Sequence, residues 1–540
     1  MMANNPAEEL QAATDKVLNS TSKKKLVVAG PGAGKTFLFR KLLERANGGI
    51  DERVVLTFVN SLKDDLERSL GGVARVFTLH GYCQHLLHRE ADLRGSLSKD
   101  FVCYPGLRSL IKIDWEFLRG GTAPKFVDLM RKLEITKEQG AFYLDRSDYY
   151  DAVDFDDSVY RTLQRFQADQ NLVPKYELTL VDEFQDFNSM EAGVIGCLAE
   201  SNAIVIAGDD DQALYSVLRD ASWNHIRGHY SAGTYEPFNL PFCMRCPEVI
   251  VEAVGEILSA AKKLKKLAGR IDKPFRFFEP AKGEDSRRYP TIDLVRTSVQ
   301  TTIANYAGKY IEERLRAISP EDLKEAEDKH EPVALIVGTR PYLPQVEKHL
   351  IDVGLLAKKK RDELAPRETA LQILKEKADS NLGWRIILSL GDERVAELCV
   401  REAAEKSLLL VETIPPELRD AVVAEAAVFE LQAKDEEVVS ETTMNIETRS
   451  YESAKGLSSQ HVFLVGLHAG DLPRNADNIQ DIEICKLLVG LTRTKKKCTV
   501  LVTKRFANVA RQPSLFLGWI RSERFSRREV DASYWKKKKG

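Results

Sequence analysis

The chain has 540 residues, 43% hydrophobic and 30% charged, and its 79 Lys and Arg against 81 Asp and Glu leave a formal charge of −2. That length holds about three or four domains, and the composition excludes wholesale disorder, a collagen-like repeat and a membrane-embedded chain. Eight scattered cysteines argue against a disulfide framework, and the near-neutral total excludes a uniformly basic nucleic-acid binder, so any polyanion must be held by local basic patches. No apolar run reaches the roughly 18–20 residues that span a bilayer, and the N-terminal stretch lacks the apolar core of a signal peptide. A cytoplasmic protein with no membrane partner is expected.

In chain order, the runs Leu26–Ala29, Val54–Phe58, Leu178–Val181, Ala203–Ala207, Ala334–Val337, Val462–Val465 and Thr499–Val502 predict buried parallel strands. Each is continuously apolar, as a strand covered on both faces must be. Helical patterns such as Thr36–Ala46, Ser61–Leu70 and Glu191–Glu200 lie between them, and the alternation predicts α/β layers. Residues 84–175 and about 360–440 read as helical without a buried strand. The chain therefore reads as two α/β cores, each interrupted by a helical insertion. No internal repeat is visible.

The strongest local signal runs from Leu26 to Thr36, an apolar strand leading into Ala29-Gly30-Pro31-Gly32-Ala33-Gly34-Lys35-Thr36. Glycines let backbone N–H groups curl around a phosphate, Lys35 reaches the β/γ-phosphates, and Thr36 is a Mg²⁺ ligand. Ala29 stands at the first position of the usual pattern, so this is a variant P-loop. A metal-holding carboxylate is needed at the end of a neighbouring strand. Asp182 supplies it, and Glu183 beside it is placed to act as general base. ATP and Mg²⁺ are the expected cofactors.

Asp182-Glu-Phe-Gln-Asp186 followed by Ala207-Gly-Asp-Asp-Asp-Gln212-Ala-Leu-Tyr215 resembles motifs II and III of the UvrD/Rep group of superfamily 1 helicases. The remaining motifs stand in family order: Gln11 as the adenine-reading Gln, Thr57-Phe58-Val59-Asn60 as Ia, Thr78-Leu-His80-Gly81 as Ib and Arg245 in IV. Ser453-Ala-Lys455-Gly456-Leu457 resembles V, and Val489-Gly-Leu-Thr492-Arg493 resembles VI. The resemblance implies two RecA-like P-loop NTPase domains with parallel sheets, nucleotide in the cleft between them and single-stranded DNA across the top. It implies a γ-phosphate sensor at Gln212, arginine fingers at Arg245 and Arg493, a nucleotide contact at Gly456, and DNA contacts at Phe58, Asn60, Thr78, His80, Tyr215 and Arg219. The implied division is 1–83 and 176–245 (1A), 84–175 (1B), 246–360 and 441–520 (2A), 361–440 after the Lys358-Lys-Lys-Arg361 run (a reduced 2B), and 521–540 as a basic tail.

The departures shape the expectation. The family holds adenine between an Arg and a Tyr, and those positions here are Phe37 and Met244; Glu452 and Ser458 replace the motif V His and Glu. The Trp that often follows motif III is absent. Cys243-Met-Arg-Cys246 lacks a second pair or His partner, so no metal or redox role is read from it. The acidic run Asp145 to Asp157 reads as a solvated face, and Lys495-Lys-Lys497 as a helix C-terminal cap. The expected function is an ATP-dependent single-stranded DNA translocase or 3′–5′ helicase of the bacterial cytosol acting at duplex junctions. The alternative is an ATP-gated DNA-binding regulatory subunit that partners a nuclease, repair or defence protein, as in the Gabija-type helicase-like subunit.

Overall fold

A computed structural model describes residues 5–58, 60–297, 306–357, 364–430, 444–506 and 509–537. The Lys358-Lys-Lys-Arg361 run and the terminal Lys538 and Lys539 lie outside these residues. Two parallel six-stranded sheets form the frame. The first contains β1 (Lys24–Ala29), β2 (Arg53–Thr57), β3 (Arg75–Thr78), β4 (Leu178–Val181), β5 (Ile204–Gly208) and β6 (Glu236–Leu240), in the order β3-β2-β4-β5-β1-β6. The second contains β7 (Ile292–Thr297), β8 (Ala334–Gly338), β9 (Ile446–Arg449), β10 (Ser459–Val465), β11 (Thr494–Thr503) and β12 (Phe525–Val530), in the order β9-β8-β10-β11-β7-β12. All the pairings within both sheets are parallel. Strand for strand the two orders are the same, so the chain repeats a topology that its sequence does not display as a repeat.

Every interior strand predicted from an apolar run is present. β4, β5, β8 and β10 are buried along their whole length, because parallel strands with helices on both faces have no wet side. Edge strands escape that pattern. β6 carries Pro237, tolerated where an N–H faces away from the sheet, and its first two residues are exposed.

β12 corrects the reading of residues 521–540 as a basic tail. Phe525 and Val530 are buried at its two ends, its four middle residues face out, and it pairs in register with β7 from Ile292–Phe525 to Thr297–Val530. Arg524 just before it is anchored on Glu252 at 2.6 Å and on Glu256.

The two helical insertions form one body rather than two. Helices over Leu107–Arg119, Lys137–Tyr150 and Phe155–Ala168 share a hydrophobic core with helices over Pro366–Glu376, Asn381–Ser389 and Glu393–Lys406. Trp384 and Arg385 are almost fully buried at the seam. Asp114 Oδ1 accepts from Arg385 Nε at 2.8 Å and its Oδ2 from Arg146 Nε at 2.9 Å. Asn381 Nδ2 donates to the Tyr149 carbonyl at 2.9 Å, and the Tyr149 hydroxyl donates to the Leu408 carbonyl at 3.0 Å.

Two further readings are corrected. The acidic run Asp145 to Asp157 is solvated only at its start: Asp145 is exposed, but Asp154, Asp156 and Asp157 are buried, with Arg131 bidentate on Asp156 at 2.7 and 2.8 Å and Arg161 on Asp157 at 2.9 Å. Lys495 to Lys497 lie in β11 rather than at a helix end. Lys496 reaches Asp322 of the helix Pro320–Asp328 at 2.6 Å and Lys497 reaches Asp293 of the neighbouring strand β7 at 2.8 Å, so the run ties β11 to a flanking helix and to the next strand.

Candidate nucleotide site and nucleic-acid face

β1 ends at Ala29 and the chain turns through Gly30–Gly34 into the helix Lys35–Arg45. Gly32 and Gly34 have φ of 68° and 88°, which only glycine adopts without strain. At Gly32 a Cβ would also stand 2.3 Å from the Arg245 Cβ, so the turn that carries Arg245 approaches the loop backbone directly. This loop forms one wall of a cleft of about 580 Å³ lined by Lys35, Thr36, Asp182, Glu183, Gln212 and Arg245 together with Lys455 and Arg493.

Lys35 Nζ rests 3.1 Å from Glu183 Oε1. Glu183 itself adopts a left-handed backbone, φ 54°, a strained placement that turns its carboxylate off the end of β4. Burial pushes that carboxyl up, but Lys35 and Lys455 outweigh it and hold the group well below the usual carboxylate range. Asp182 is pushed the other way, up to about 6, by burial that Lys35 only partly offsets. Its Oδ1 is buried without a hydrogen-bond partner. That orphaned oxygen and the exposed Thr36 hydroxyl are hard ligands of the kind Mg²⁺ takes, so the residues fit the ion.

A buried polar chain joins the two cores across this cleft. Gln185 Nε2 donates to Glu183 at 2.6 Å, while Gln185 Oε1 accepts from the Asp209 N–H at 2.9 Å. Asp209 Oδ2 accepts from Gln212 Nε2 at 2.6 Å, and Gln212 Oε1 accepts from Arg493 Nη2 at 2.8 Å. Arg493 also donates to the Val489 and Leu457 carbonyls at 2.9 and 3.1 Å. Burial, reinforced by neighbouring Arg245, brings its guanidinium down to about 9. Arg245 Nη1 donates to the Thr492 carbonyl at 3.4 Å.

Sequence reasoning missed two cations here. Lys455 Nζ donates to Asp186 and, at 2.6 Å, to the Gln212 carbonyl, and lies 3.4 Å from Glu183 Oε2. Its place inside motif V was the available signal. Lys273 reaches Asp209, Asp210 and Asp211 at 2.9, 2.7 and 2.8 Å. This buried acidic trio has the spacing of a cation site, and the lysine ammonium already fills it. No motif marks Lys273, because its partner is reached through the fold rather than along the chain.

On the adenine side, Gln11 is exposed and bonded to Asp15 of its own helix at 2.9 Å. Phe37 is 56% exposed with Lys41 Nζ 4.6 Å from its ring centre, and Met244 packs against Gly34. Gly456, at φ 87°, faces Leu62 of the first core.

Of the residues expected to contact DNA, Phe58, Tyr215, Arg219 and His80 are brought together, and each has a structural partner. Phe58 is 3% exposed, 4.8 Å from the Tyr215 ring, and covered by the Arg219 guanidinium at 4.6 Å. Tyr215 donates to the Glu452 carbonyl at 2.9 Å. Arg219 Nη2 also reaches His80 Nε2 at 2.9 Å and Glu191 at 3.1 Å; burial brings His80 down to about 3, so it is neutral. Thr78 caps the helix Leu79–Arg89 by accepting from the Gly81 N–H, and Asn60 is exposed at the first turn of the helix Asn60–Leu70.

Residues 10–113 and 129–230 match the family model of the UvrD/REP helicase N-terminal domain. The ATP-dependent DNA helicase PcrA of Leuconostoc citreum is 26% identical over 243 residues, 37% of this chain and 32% of that protein. PcrA of Bacillus subtilis is 27% identical over 235 residues, 35% of this chain and 31% of that protein. The ATP-dependent DNA helicase UvrD2 of Mycobacterium bovis is 23% identical over 406 residues, 69% of this chain and 55% of that protein. The matched span is thus about a third of each PcrA and about half of UvrD2. Among the described residues no helix is long and apolar enough to cross a membrane.

Proposed function

Because the chain is UvrD/Rep-like, of helicase superfamily 1, we propose that it hydrolyses ATP between its two cores and converts cleft motion into 3′–5′ stepping along single-stranded DNA. One observation carries this reading: Lys35 and Gln212 from the first core, Lys455 and Arg493 from the second, and Arg245 from the turn that joins the two converge on one cleft. Phosphoryl transfer spreads charge over equatorial oxygens, and cations supplied from both sides stabilise it only when the cleft is shut.

The proposed sequence starts from the ion pair now in place. A nucleotide phosphate draws Lys35 off Glu183, which loses part of the field that keeps it a weak base and becomes able to take a proton from the attacking water. Asp182 and Thr36 would hold Mg²⁺, which would supply charge neutralisation to the bound phosphates. Gln212, already bonded to Arg493 across the cleft, would pass the presence of the γ-phosphate to the second core. The domain division is proposed as 1–83 and 176–245 for 1A, 84–175 for 1B, 361–440 for a short 2B, and the remaining described chain, β12 included, for 2A.

A second reading has its own observation. Phe58 is closed under Arg219, so a base stacks there only after that side chain moves. This supports an ATP-gated DNA-binding subunit that needs a partner protein to unwind. Glu183→Gln and Lys35→Ala distinguish the core claim: both should lower ATP turnover by at least ~10³-fold, with Glu183→Gln still binding nucleotide. Turnover unchanged in either variant would place the chemistry elsewhere. Strand displacement on a 3′-tailed duplex by the chain alone would exclude the second reading.

A further inference from the structure

The turn beneath Gln212 is built around a lysine from another part of the chain. Asp209, Asp210 and Asp211 follow β5, and their carboxylates offer oxygens within 4.8 Å of one another. Like charges that close stay ionised together only around a cation. Lys273 Nζ supplies it, 2.9 Å from Asp209 Oδ1, 2.7 Å from Asp210 Oδ1 and 2.8 Å from Asp211 Oδ2, with its side chain almost fully buried. Burial pushes Lys273 down, but the three carboxylates outweigh it and hold the amine well above the usual lysine range. Asp210 and Asp211 each have a second cation, Arg227 Nε at 2.8 Å and Arg270 Nε at 2.7 Å. Among the described residues Asp209 has Lys273 alone.

The placement of Asp209 decides which end of the Gln212 amide faces the second core. A carboxylate accepts and does not donate, so Asp209 Oδ2 takes the Gln212 Nε2 donor at 2.6 Å, and the amide oxygen is left for Arg493 Nη2 at 2.8 Å. Asp209 Oδ1, on the Lys273 side, also accepts the Asp211 N–H at 3.1 Å, so the group is fixed by one oxygen and presents the other. Without the ammonium, one of three crowded carboxyls takes a proton or swings away, and Asp209, with no arginine of its own, is the one that yields. A protonated or displaced Asp209 no longer selects the amide end.

The segment that carries Lys273 is fastened to both cores. The Leu267 N–H donates to Asp481 Oδ1 at 3.0 Å, at the start of the helix Asp481–Leu491, and the Ile271 N–H donates to Asp210 Oδ2 at 3.0 Å. Phe275 packs so closely on the phosphate loop that a Cβ at Gly30 would stand 2.6 Å from its ring. One short stretch thus touches the second core, the acidic turn and the phosphate loop.

We propose that Lys273 is a positioning residue for nucleotide turnover: its ammonium orients Asp209 so that the Gln212 amide keeps its oxygen on Arg493 and has its second N–H free for the γ-phosphate. Neither Lys273 nor Asp209 lines the cleft, so the effect passes through Gln212. The proposal rests on the ATPase reading above.

Steady-state ATP turnover of the full chain is compared for the parent, Lys273→Met, Gln212→Ala and the two combined. Lys273→Met should lower kcat ~10- to 100-fold by misplacing the amide, and change KM for ATP by less than ~3-fold. Added to Gln212→Ala, it should lower kcat by less than ~3-fold further, because the group it positions is already gone. A lysine that only supports the fold would lower both backgrounds alike. Equal losses in the two backgrounds, a loss confined to KM, or an unchanged kcat in Lys273→Met would overturn the proposal. Should Lys273→Met fail to fold, Lys273→Met with Asp210→Asn restores the charge balance with Arg227 and Arg270 and takes its place, with the same expectations. A parent chain without turnover, or one whose turnover survives Lys35→Ala, defeats the ATPase reading and this proposal with it; turnover lost in Lys35→Ala together with equal losses from Lys273→Met defeats this proposal alone.

Discussion

At the residue scale, the site works by setting like groups to different tasks. Asp182 and Glu183 are adjacent carboxylates, yet one is pushed up by burial and the other held down by two lysines. Arg493 donates to four acceptors, the Val489 and Leu457 carbonyls, the Gln212 amide oxygen and the Thr492 hydroxyl, and Lys cannot reproduce that fork. Arg493→Ala should therefore lower kcat about 10³-fold with a much smaller change in nucleotide affinity, and Arg493→Lys should not recover it. A kcat loss matched by an equal loss of affinity would show instead that Arg493 only builds the pocket.

Away from the cleft, burial first and the neighbouring Asp157 and Asp156 next push the Asp154 carboxyl up to about 7. In the unfolded chain it titrates near its ordinary value of about 4. Between roughly pH 4 and 7 the folded state holds a proton that the unfolded chain has lost, so this group's contribution to stability falls as pH rises through that window and is level above it. Asp154→Asn, which keeps an oxygen for the Asp157 N–H, should raise stability at pH 8 by about 1–4 kcal/mol and leave it unchanged at pH 4. Denaturant unfolding at the two pH values checks this; an equal gain at both would remove the titration from the account. The phosphate loop, the Asp182-Glu183 pair and the arginines stand in the sequence because short-range motifs mark them. Lys273 and the charge network of Asp154 to Asp157 do not, since their partners come from distant elements.

At the element scale, what reads clearly in the sequence is what is buried on both faces. β4, β5, β8 and β10 are continuous apolar runs, whereas β3, β6, β9 and β12 sit at sheet edges with polar or proline positions that mimic loops. β12 is the sharpest case: Arg527, Arg528 and Glu529 face outward, so only Phe525 and Val530 betray the strand. The seam between the insertions is equally hidden, because Asp114 and Arg385 lie far apart in sequence. Asp114→Ala leaves Arg146 and Arg385 buried without their shared carboxylate and should cost about 3–5 kcal/mol, while Arg385→Met, which leaves Asp114 paired to Arg146, should cost much less. Unfolding followed by intrinsic fluorescence measures both. Equal costs would mean that the seam is held by packing around Trp384 rather than by charge.

At the scale of the whole molecule, the near-zero charge conceals a partition. Acidic and basic groups are largely spent on one another, in the insertion seam, along β11 and beneath Gln212, and the cations left facing the cleft come from both cores. The matching strand orders explain how one architecture supplies both halves of a site: each core presents strand ends to the same cleft. The sequence motifs locate those ends, but the duplication of topology appears only once the edge strands and β7, an interior strand interrupted by Asp293 and Arg296, are counted. Tyr215 donates to the Glu452 carbonyl and Lys455 to the Gln212 carbonyl, so the short segments Gln212–Tyr215 and Glu452–Lys455 join the aromatic expected to stack on DNA to the cleft. Nucleic acid at Phe58 and Tyr215 and nucleotide at Lys35 should therefore sense each other through a few ångströms of packed chain.

The direct measurement of that coupling is the steady-state ATPase rate of the full chain with and without single-stranded DNA. The account predicts a rise of about tenfold or more with single-stranded DNA, absent in Lys35→Ala and blunted in Tyr215→Ala. A rate that is the same with and without single-stranded DNA, in a preparation where Lys35→Ala abolishes it, would contradict the claim that the cleft drives movement on a nucleic-acid strand.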